Sequence, residues 1–450
     1  MKRLFRQAAA MATAVCVILA GERAAAASVI RDAEIEATLQ KLSAPIFRAA
    51  GLSPDSIQIL ILNDNALNAF VFGGRNMVFN TGLLERLEKP EELMGVMAHE
   101  AGHIVGGHLT RRQLQAQAMQ GPLALGLLLS VLAGAASGDA KVGVAGAIGT
   151  QSAIQRYMMA YSRSEEAAAD QAGSSYMEEA GIDPANVLSV LRIFRGQEVF
   201  QAGNIDPYAS SHPLSSERLA FLEDRAARSS ARGGTASADL QYWHARMRAK
   251  LEAFTDRPER TLAALESAGD PDGEMNTLRR AVAYHLLPSP PQALEAIDRL
   301  IAMRADDPYY WELKGQILFE SGRGREAVKP YRRAVALAPD EPLIRGGLGR
   351  ALLALGDPAT DAEALATLEQ ATGDGASEPS LLRDLALAYG RAGEDGKAAL
   401  ATAERYAITG EPREALRHAR RALDQLPTGS PGWLRADDIR AVAERALSEN

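Results

Sequence analysis

The stretch V-M-A-H-E-A-G-H-I-V-G-G-H, residues 96–108, contains three of the seven histidines in this chain of 450 residues. His99 and His103 are four residues apart, and Glu100 directly follows the first of them. On an α-helix, residues i and i+4 lie one above the other on the same face, so these two imidazoles can hold one metal ion. Glu100 then lies beside that ion, within reach of a water molecule on it.

This arrangement is the H-E-x-x-H pattern, in which two histidines bind zinc and the glutamate is the general base of a metallopeptidase. The alternative is a helix that carries surface histidines and no metal. A related pattern with three histidines needs the third at position 109, which is Leu109 here. If the helix continues, His108 is rotated by roughly 180° from His99. We therefore expect His108 to be structural, or to support a ligand, and not to bind the metal.

A zinc site with three protein ligands needs a further ligand from elsewhere in the chain. The stretch Y-S-R-S-E-E-A-A-A-D, residues 161–170, is the best candidate, because Glu166 and Asp170 are again four residues apart. Glu166 is expected to bind the metal, and Asp170 to accept a hydrogen bond from the free ring N–H of a zinc histidine. Glu165 is the alternative ligand, and a solvated helix face is the alternative for the whole stretch.

Residues 1–27 have the pattern of a signal peptide, in which three basic residues precede an apolar run from about Ala8 to Ala20 and small residues follow. The alternative is an uncleaved membrane anchor, but the run is short for a span of about 20 residues. Cys16, the only cysteine of the sequence, lies inside this run. The pattern predicts export to an oxidising compartment such as the periplasm, with a mature chain that has no disulfide.

The composition is that of a folded protein, with 47% hydrophobic and 24% charged residues. The net charge of −8 comes without a basic stripe, which argues against nucleic acid as a partner. Aromatic residues make up only 5% of the chain, and alanine is abundant. This favours helices that pack through small side chains.

Residues 28–230 are predicted to form one domain. A helical pattern runs from about Ile30 to Gly51, and residues 56–64 have the pattern of a strand. Residues 68–84 indicate two short strands around a Gly73–Gly74 turn, which is a hairpin signal. A helix is expected to begin near Pro90 and to carry His99 and His103.

The segment 121–150 is strongly apolar but is interrupted by polar residues, so neither part reaches the roughly 18 residues of a transmembrane helix. It is interpreted as a buried helix or a helical lid over a groove. The alternative is an interfacial or substrate-contacting hairpin, which would give peripheral membrane contact.

Residues 231–450 are predicted to form a second domain of repeats, after a linker-like stretch at 227–239. Residues 308–340 carry the residue types of a tetratricopeptide repeat at the correct offsets, namely Trp311, Gly315, Leu318, Gly322, Ala327, Tyr331, Ala334 and Pro339. Related positions recur at a spacing of 34 residues, which predicts three to five repeats stacked into an α-solenoid with a concave face. A purely structural helical domain is the alternative.

Four sequence elements together resemble the M48 family of zinc metallopeptidases. They are H-E-A-G-H at His99–His103, S-R-x-x-E-x-x-A-D at Ser162–Asp170, N-A-F through N-T-G-L-L at Asn68–Leu84, and S-H-P at Ser211–Pro213. The resemblance implies a mainly α fold, with a zincin-type α+β protease domain containing a small β-sheet, followed by the tetratricopeptide solenoid. It also makes Glu166 the third ligand of one Zn²⁺ per chain.

The resemblance further implies that His212 can occupy the open position of the zinc and hold the enzyme latent. The alternative is a core or turn histidine before proline. Arg218 is expected to pair with the acidic site. The strand at Asn68, Ala69 and Phe70 is expected to be an edge strand that pairs with an extended substrate.

These observations predict a periplasmic zinc endopeptidase that acts on unfolded or misassembled proteins, and the resemblance implies a role in the assembly and quality control of outer-membrane β-barrel proteins. The repeats would then select clients or dock the enzyme on the β-barrel assembly machinery. One alternative is a chaperone or assembly factor in which proteolysis is secondary or latent. The other is a repeat scaffold with a structural zinc.

Overall fold

The computed structural model describes residues 29–72, 74–108, 111, 163–198, 212, 215–373 and 378–448. Within these residues the chain forms two compact units. The first unit contains residues 29–31 and 38–244, and the second contains residues 32–37 and 245–448. The predicted signal peptide and the apolar segment 121–150 lie outside the described residues. The domain boundary predicted at 230/231 remains a prediction.

The first unit contains a four-stranded sheet whose spatial order is β1-β2-β4-β3. The strands are β1 (Val29–Ile30), β2 (Gln58–Leu62), β3 (Ala69–Phe72) and β4 (Asn76–Asn80). Strands β3 and β4 form an antiparallel hairpin, with Ala69 opposite Phe79, whereas β2 and β4 are parallel. Strand β3 is therefore at one edge of the sheet, and a short 3-10 helix, Pro54–Ser56, precedes β2.

The first unit also contains α-helices. They are α1 (Ala33–Ala49), α2 (Thr81–Arg86), α3 (Pro90–Val105), α4 (163–179), α5 (Ala185–Glu198) and α6 (Ser216–Arg228). Helix α3 begins at a proline, with Glu91 and Glu92 in its first turn, as the sequence predicts. Every residue of α3 from Pro90 to His103 is buried, because α5 and β3 both pack against it. A helix enclosed on all sides is a rigid platform for side chains that must be held in place.

The second unit is entirely helical in its described part. Helix α7 spans Ala238–Thr255 and belongs to this unit from Ala245 onwards. The helices that follow are α8 (Pro258–Glu266), α9 (Glu274–Leu286), α10 (Pro290–Met303), α11 (Pro308–Glu320), α12 (Gly324–Leu337), α13 (Pro342–Leu353), α14 (Pro358–Gly373), α15 (Pro379–Arg391), α16 (Asp395–Ile408), α17 (Pro412–Gln425) and α18 (Pro431–Ser448). Consecutive helices pack in antiparallel pairs through small buried side chains, with Ala327 and Ala334 of α12 fully enclosed. The mainly α fold with a small sheet and a repeat solenoid is confirmed.

A buried ion cluster lies within the second unit. Arg246 of α7 donates to the carboxylates of Glu34 and Asp307, and its guanidinium carbon lies 3.9 Å from the ring centroid of Tyr310. Lys250 lies 2.8 Å from Asp32, and both cationic side chains have no exposed surface. Ion pairs therefore connect residues 32–37, at the start of α1, to the rest of this unit.

No helix among the described residues combines the length and the apolar character needed to cross a membrane.

Candidate metal centre

Helix α3 presents the two histidines of the opening motif on one face. The Nε2 atoms of His99 and His103 are 3.1 Å apart, and the two rings meet edge to face. Both side chains are buried, and Glu100 between them has no exposed surface. The i, i+4 spacing therefore places both imidazoles on the same face of α3, as helix geometry requires.

Helix α4 approaches α3 very closely, because glycines lie where the two helices meet. A Cβ atom on Gly102 of α3 would lie 2.9 Å from the Cα atom of Ala169, and one on Gly173 of α4 would lie 3.0 Å from the backbone nitrogen of His99. Both distances are shorter than ordinary van der Waals contact. This close crossing lets the carboxylates of α4 reach the histidines of α3.

Four buried side chains meet at this crossing: His99, His103, Glu166 and His212. The Nε2 atoms of His99 and His103 each lie 3.2 Å from an oxygen of Glu166. The Nδ1 atom of His212 lies 3.0 Å from Glu166 Oε2 and 3.3 Å from His99 Nε2. Each of the four residues offers one nitrogen or oxygen atom, and these four atoms all lie within 4.8 Å of one another. Two helices and the residue at position 212 thus converge on one point.

The spacing of these four donors fits a metal ion. A tetrahedral zinc site with bonds of 2.0–2.2 Å to nitrogen and oxygen places neighbouring donors about 3.3 Å apart. The measured separations between His99, His103 and Glu166 are 3.1–3.2 Å. Three histidines and one carboxylate are also donors that zinc accepts. The residues present can hold a divalent metal ion.

The carboxylate of Asp170 supports the other side of the His99 ring. Its Oδ1 atom lies 3.0 Å from Nδ1 of His99, the nitrogen that faces away from the cluster. Arg218 of α6 donates to both oxygens of Asp170, from Nε at 2.6 Å and from Nη2 at 2.9 Å. Its Nη1 atom also lies 3.1 Å from Glu166 Oε2. One arginine therefore holds the carboxylates of Asp170 and Glu166 in place.

The charges of the cluster are strongly coupled. Burial lowers the pKa of His99, but Asp170 and Glu166 outweigh this and raise the pKa to about 10. Burial lowers the pKa of His103 to about 3. Burial also acts to raise the pKa values of Glu166 and Asp170, but their hydrogen bonds to the histidines and to Arg218 keep both pKa values below the usual range. Both carboxylates are ionised, and the histidine nitrogens and the guanidinium of Arg218 lie around them.

The remaining predicted residues differ in their relation to the site. His212 Nε2 lies 3.4 Å from Glu100 Oε1, so this histidine spans the space between the proposed base and the proposed ligand Glu166. Strand β3, which Asn68 precedes, packs against α3. Glu165 is buried but is not part of the cluster. Ser162, Ser211 and Pro213 of the sequence motifs lie outside the described residues.

Arg218 pairs with acidic groups of the site, as expected from the sequence. Sequence reasoning missed the position of His108, whose Nδ1 atom lies 2.9 Å from Nδ1 of His103. The glycines at 106 and 107 are the signal that could have revealed it, because they end the helix before His108.

Comparison with known proteins agrees with the two-part organisation. Residues 30–226 match the model of peptidase family M48, and residues 254–408 match a tetratricopeptide repeat model. The chain is similar to the β-barrel assembly-enhancing protease of Yersinia pestis, at 25% identity over 86% of this chain and 79% of that protein.

Two further relatives extend the comparison. The β-barrel assembly-enhancing protease of Escherichia coli K12 is 25% identical over 93% of this chain and 86% of its own length. The mitochondrial metalloendopeptidase OMA1 of Arabidopsis thaliana is 26% identical over 43% of this chain and 36% of its own length.

Proposed function

Because this chain carries a peptidase M48 domain followed by tetratricopeptide repeats and is a metalloendopeptidase, we propose that it cleaves unfolded or misassembled proteins in the periplasm. The converging donor set of His99, His103 and Glu166 carries this proposal. The signal-peptide pattern of residues 1–27 supports the location. The names of the two bacterial relatives support a role in the assembly of outer-membrane β-barrel proteins.

In this proposal His99, His103 and Glu166 hold one Zn²⁺ per chain. Zinc bound there supplies a Lewis acid that polarises a carbonyl and makes water acidic near neutral pH. Asp170 fixes the ring of His99 through its Nδ1 nitrogen, and Arg218 keeps Asp170 and Glu166 in position. Outer partners of this kind typically change metal affinity 10- to 100-fold when they are removed.

Glu100 is the proposed general base. It follows His99 on α3 and is completely buried beside the cluster, so its carboxylate is shielded from bulk water. It accepts a proton from the attacking water and then donates that proton to the leaving amine. A carboxylate held on a rigid helix can do this without moving far.

Strand β3 is the proposed docking edge for substrate. Ala69 and Phe70 pair with β4 on one side and lie next to the helix that bears His99 and Glu100. An extended chain can add to the other side of the edge through backbone hydrogen bonds, with little regard for its sequence. This mode favours substrates that are unfolded, since a folded protein does not offer an extended segment.

His212 is proposed to keep the resting enzyme latent. Its Nδ1 atom already lies within 3.3 Å of donors from both α3 and α4. A fourth protein donor closes a metal site, and a closed site lacks the open position that catalysis needs. Release of His212 would then be the step that activates the enzyme.

The repeats are proposed to select clients or to dock the enzyme on the outer-membrane β-barrel assembly machinery. Helical repeat arrays present extended surfaces that suit protein partners.

The test uses the full-length mature protein with zinc and unfolded β-casein as the probe. We expect His212→Ala to cleave casein faster than the wild type, and Glu100→Gln to cleave none while binding zinc normally. If the Glu100→Gln/His212→Ala double variant cleaves casein as fast as His212→Ala alone, the assignment of the base is overturned. If zinc-loaded wild type and His212→Ala both leave casein intact, the protease proposal fails and the chaperone alternative replaces it.

A further inference from the structure

His108 lies directly against one of the two histidines of α3. Helix α3 ends at Val105, and Gly106 continues with helical backbone angles of φ −65° and ψ −12°. Gly107 then has a φ of +61°, which reverses the chain. The turn folds His108 back against the last turn of the helix, where only 3% of the residue is exposed. The position of His108 therefore depends on these two glycines.

The contact between His103 and His108 joins two nitrogens of the same kind. The Nδ1 atoms are 2.9 Å apart and the rings meet edge to face, at 80°. A hydrogen bond between two ring nitrogens requires one to carry the proton and the other to accept it. The Nε2 atom of His103 faces the cluster, 3.1 Å from His99 and 3.2 Å from Glu166. A neutral His103 that binds metal through Nε2 must therefore carry its proton on Nδ1, which makes Nδ1 of His108 the acceptor.

We propose that His108 is the positioning residue for His103: it accepts the Nδ1 proton, fixes the tautomer with Nε2 free, and sets the plane of the ring. This inference rests on the proposed metal-binding role of His103. The two histidines of α3 are thereby supported differently, His99 by the carboxylate of Asp170 and His103 by an uncharged imidazole. Outer partners of either kind orient a metal-binding ring.

Gly106 provides an independent way to disturb the same contact. A Cβ atom at this position would lie 2.4 Å from Nε2 of His108 and 2.8 Å from the adjacent ring carbons. Because Gly106 has ordinary helical angles, alanine is compatible with the backbone there. The substitution Gly106→Ala must therefore act by displacing the His108 ring.

The experiment measures zinc affinity by competition with a chromophoric chelator, using the full-length protein. We expect His108→Leu and Gly106→Ala to weaken zinc binding at least tenfold. His108→Asn should recover most of the affinity, because its amide oxygen can take the place of Nδ1 as acceptor. His285→Ala, in the second unit, is the matched histidine control and should bind zinc like the wild type.

A second readout separates positioning from general stability. The visible absorption of the Co²⁺-substituted protein reports the geometry of the ligands, and at saturating Co²⁺ it should change in His108→Leu but not in His108→Asn. Wild-type affinity in His108→Leu, or equal losses in His108→Leu and His108→Asn, would overturn the inference. If zinc binds as expected but casein is never cleaved, only the proposed function fails, whereas a wild type that binds no zinc overturns both.

Discussion

The carboxylate of Asp170 and the guanidinium of Arg218 form a buried pair joined by two hydrogen bonds, of 2.6 and 2.9 Å. This pair supports His99, because Oδ1 of Asp170 also lies 3.0 Å from Nδ1 of the His99 ring, the nitrogen that faces away from the cluster. Arg218 comes from α6, so three helices contribute to the orientation of one imidazole. The pair links Asp170, the predicted support of a zinc histidine, to a residue 48 positions away in the chain.

We predict that Asp170→Ala weakens zinc affinity 10- to 100-fold, because the His99 ring loses the acceptor that orients it. It also leaves the buried Arg218 without its main carboxylate, so the protein should lose several kcal/mol of stability, of the order found for broken buried pairs. Asp170→Asn keeps an acceptor oxygen and should lose less affinity. Chelator competition and urea unfolding measure the two effects, and an unchanged zinc affinity in Asp170→Ala would contradict the role given to this residue.

Two adjacent glutamates of α4 are predicted to respond in opposite ways. Glu166→Gln should abolish tight zinc binding, because it removes the charged donor that lies between His99 and His103. Glu165→Gln should bind zinc like the wild type, because Glu165 is buried outside the cluster. Metal content after gel filtration measures this, with equal zinc in both variants as the contradicting result.

Gly102→Ala is predicted to separate α3 from α4. The added Cβ would lie 2.9 Å from backbone atoms of Ala169, which cannot move aside as a flexible side chain can. We expect a loss of about 1–3 kcal/mol in the free energy of unfolding, together with weaker zinc binding as Glu166 is displaced. The matched control is Gly390→Ala in α15, where a Cβ meets nothing within 4 Å. Calorimetry of both variants would show whether the close crossing is required.

The second unit is predicted to have a pH-dependent stability that depends on Glu312. Burial and the carboxylates of Asp32 and Glu34 raise the pKa of Glu312 from 4.5 to about 7, while Lys250 opposes them. Since the pKa is raised on folding, this group contributes stability that is complete below about pH 4.5 and is lost as the pH rises through about 7. Glu312→Gln imitates the protonated form, so it should match the wild type at pH 5 and exceed it in stability at pH 8.

Urea unfolding at the two pH values, on the full chain with zinc chelated, measures this difference. Glu295→Gln, on the exposed face of α10, serves as the control and should not change the pH profile. A Glu312→Gln variant that is less stable than the wild type at pH 8 would show that the ionised carboxylate is needed by Lys250.

Local patterns predicted the parts of the site that lie on single elements. The four-residue spacing of His99 and His103 indicated a shared helix face, and helix geometry places them there. The pattern of residues 68–84 likewise indicated the hairpin that became β3 and β4. In both cases the spacing of the residues in the sequence matches the periodicity of the helix or strand that they form.

Contacts between segments that are distant in the sequence were harder to predict. The return of His108 was hidden because the prediction assumed a helix that continues beyond Val105. The parallel pairing of β2 with β4 and the addition of β1 depend on tertiary packing that no local period encodes. The pairing of Arg246 with Glu34 joins residues 212 positions apart, a separation that only the folded chain reveals.

That last pairing limits when residues 32–37 can form their contacts with the second unit as the chain is synthesised. A polypeptide made from its N-terminus delivers residues 32–37 early, but Arg246, Lys250 and Asp307 appear only after the whole first unit has emerged. Contacts of such long sequence separation form late, since a large loop must close before they yield any stability. Residues 32–37 therefore meet their partners only after the repeats have begun to emerge, whereas residues 38–244 of the first unit are already synthesised while the second unit is still unfinished.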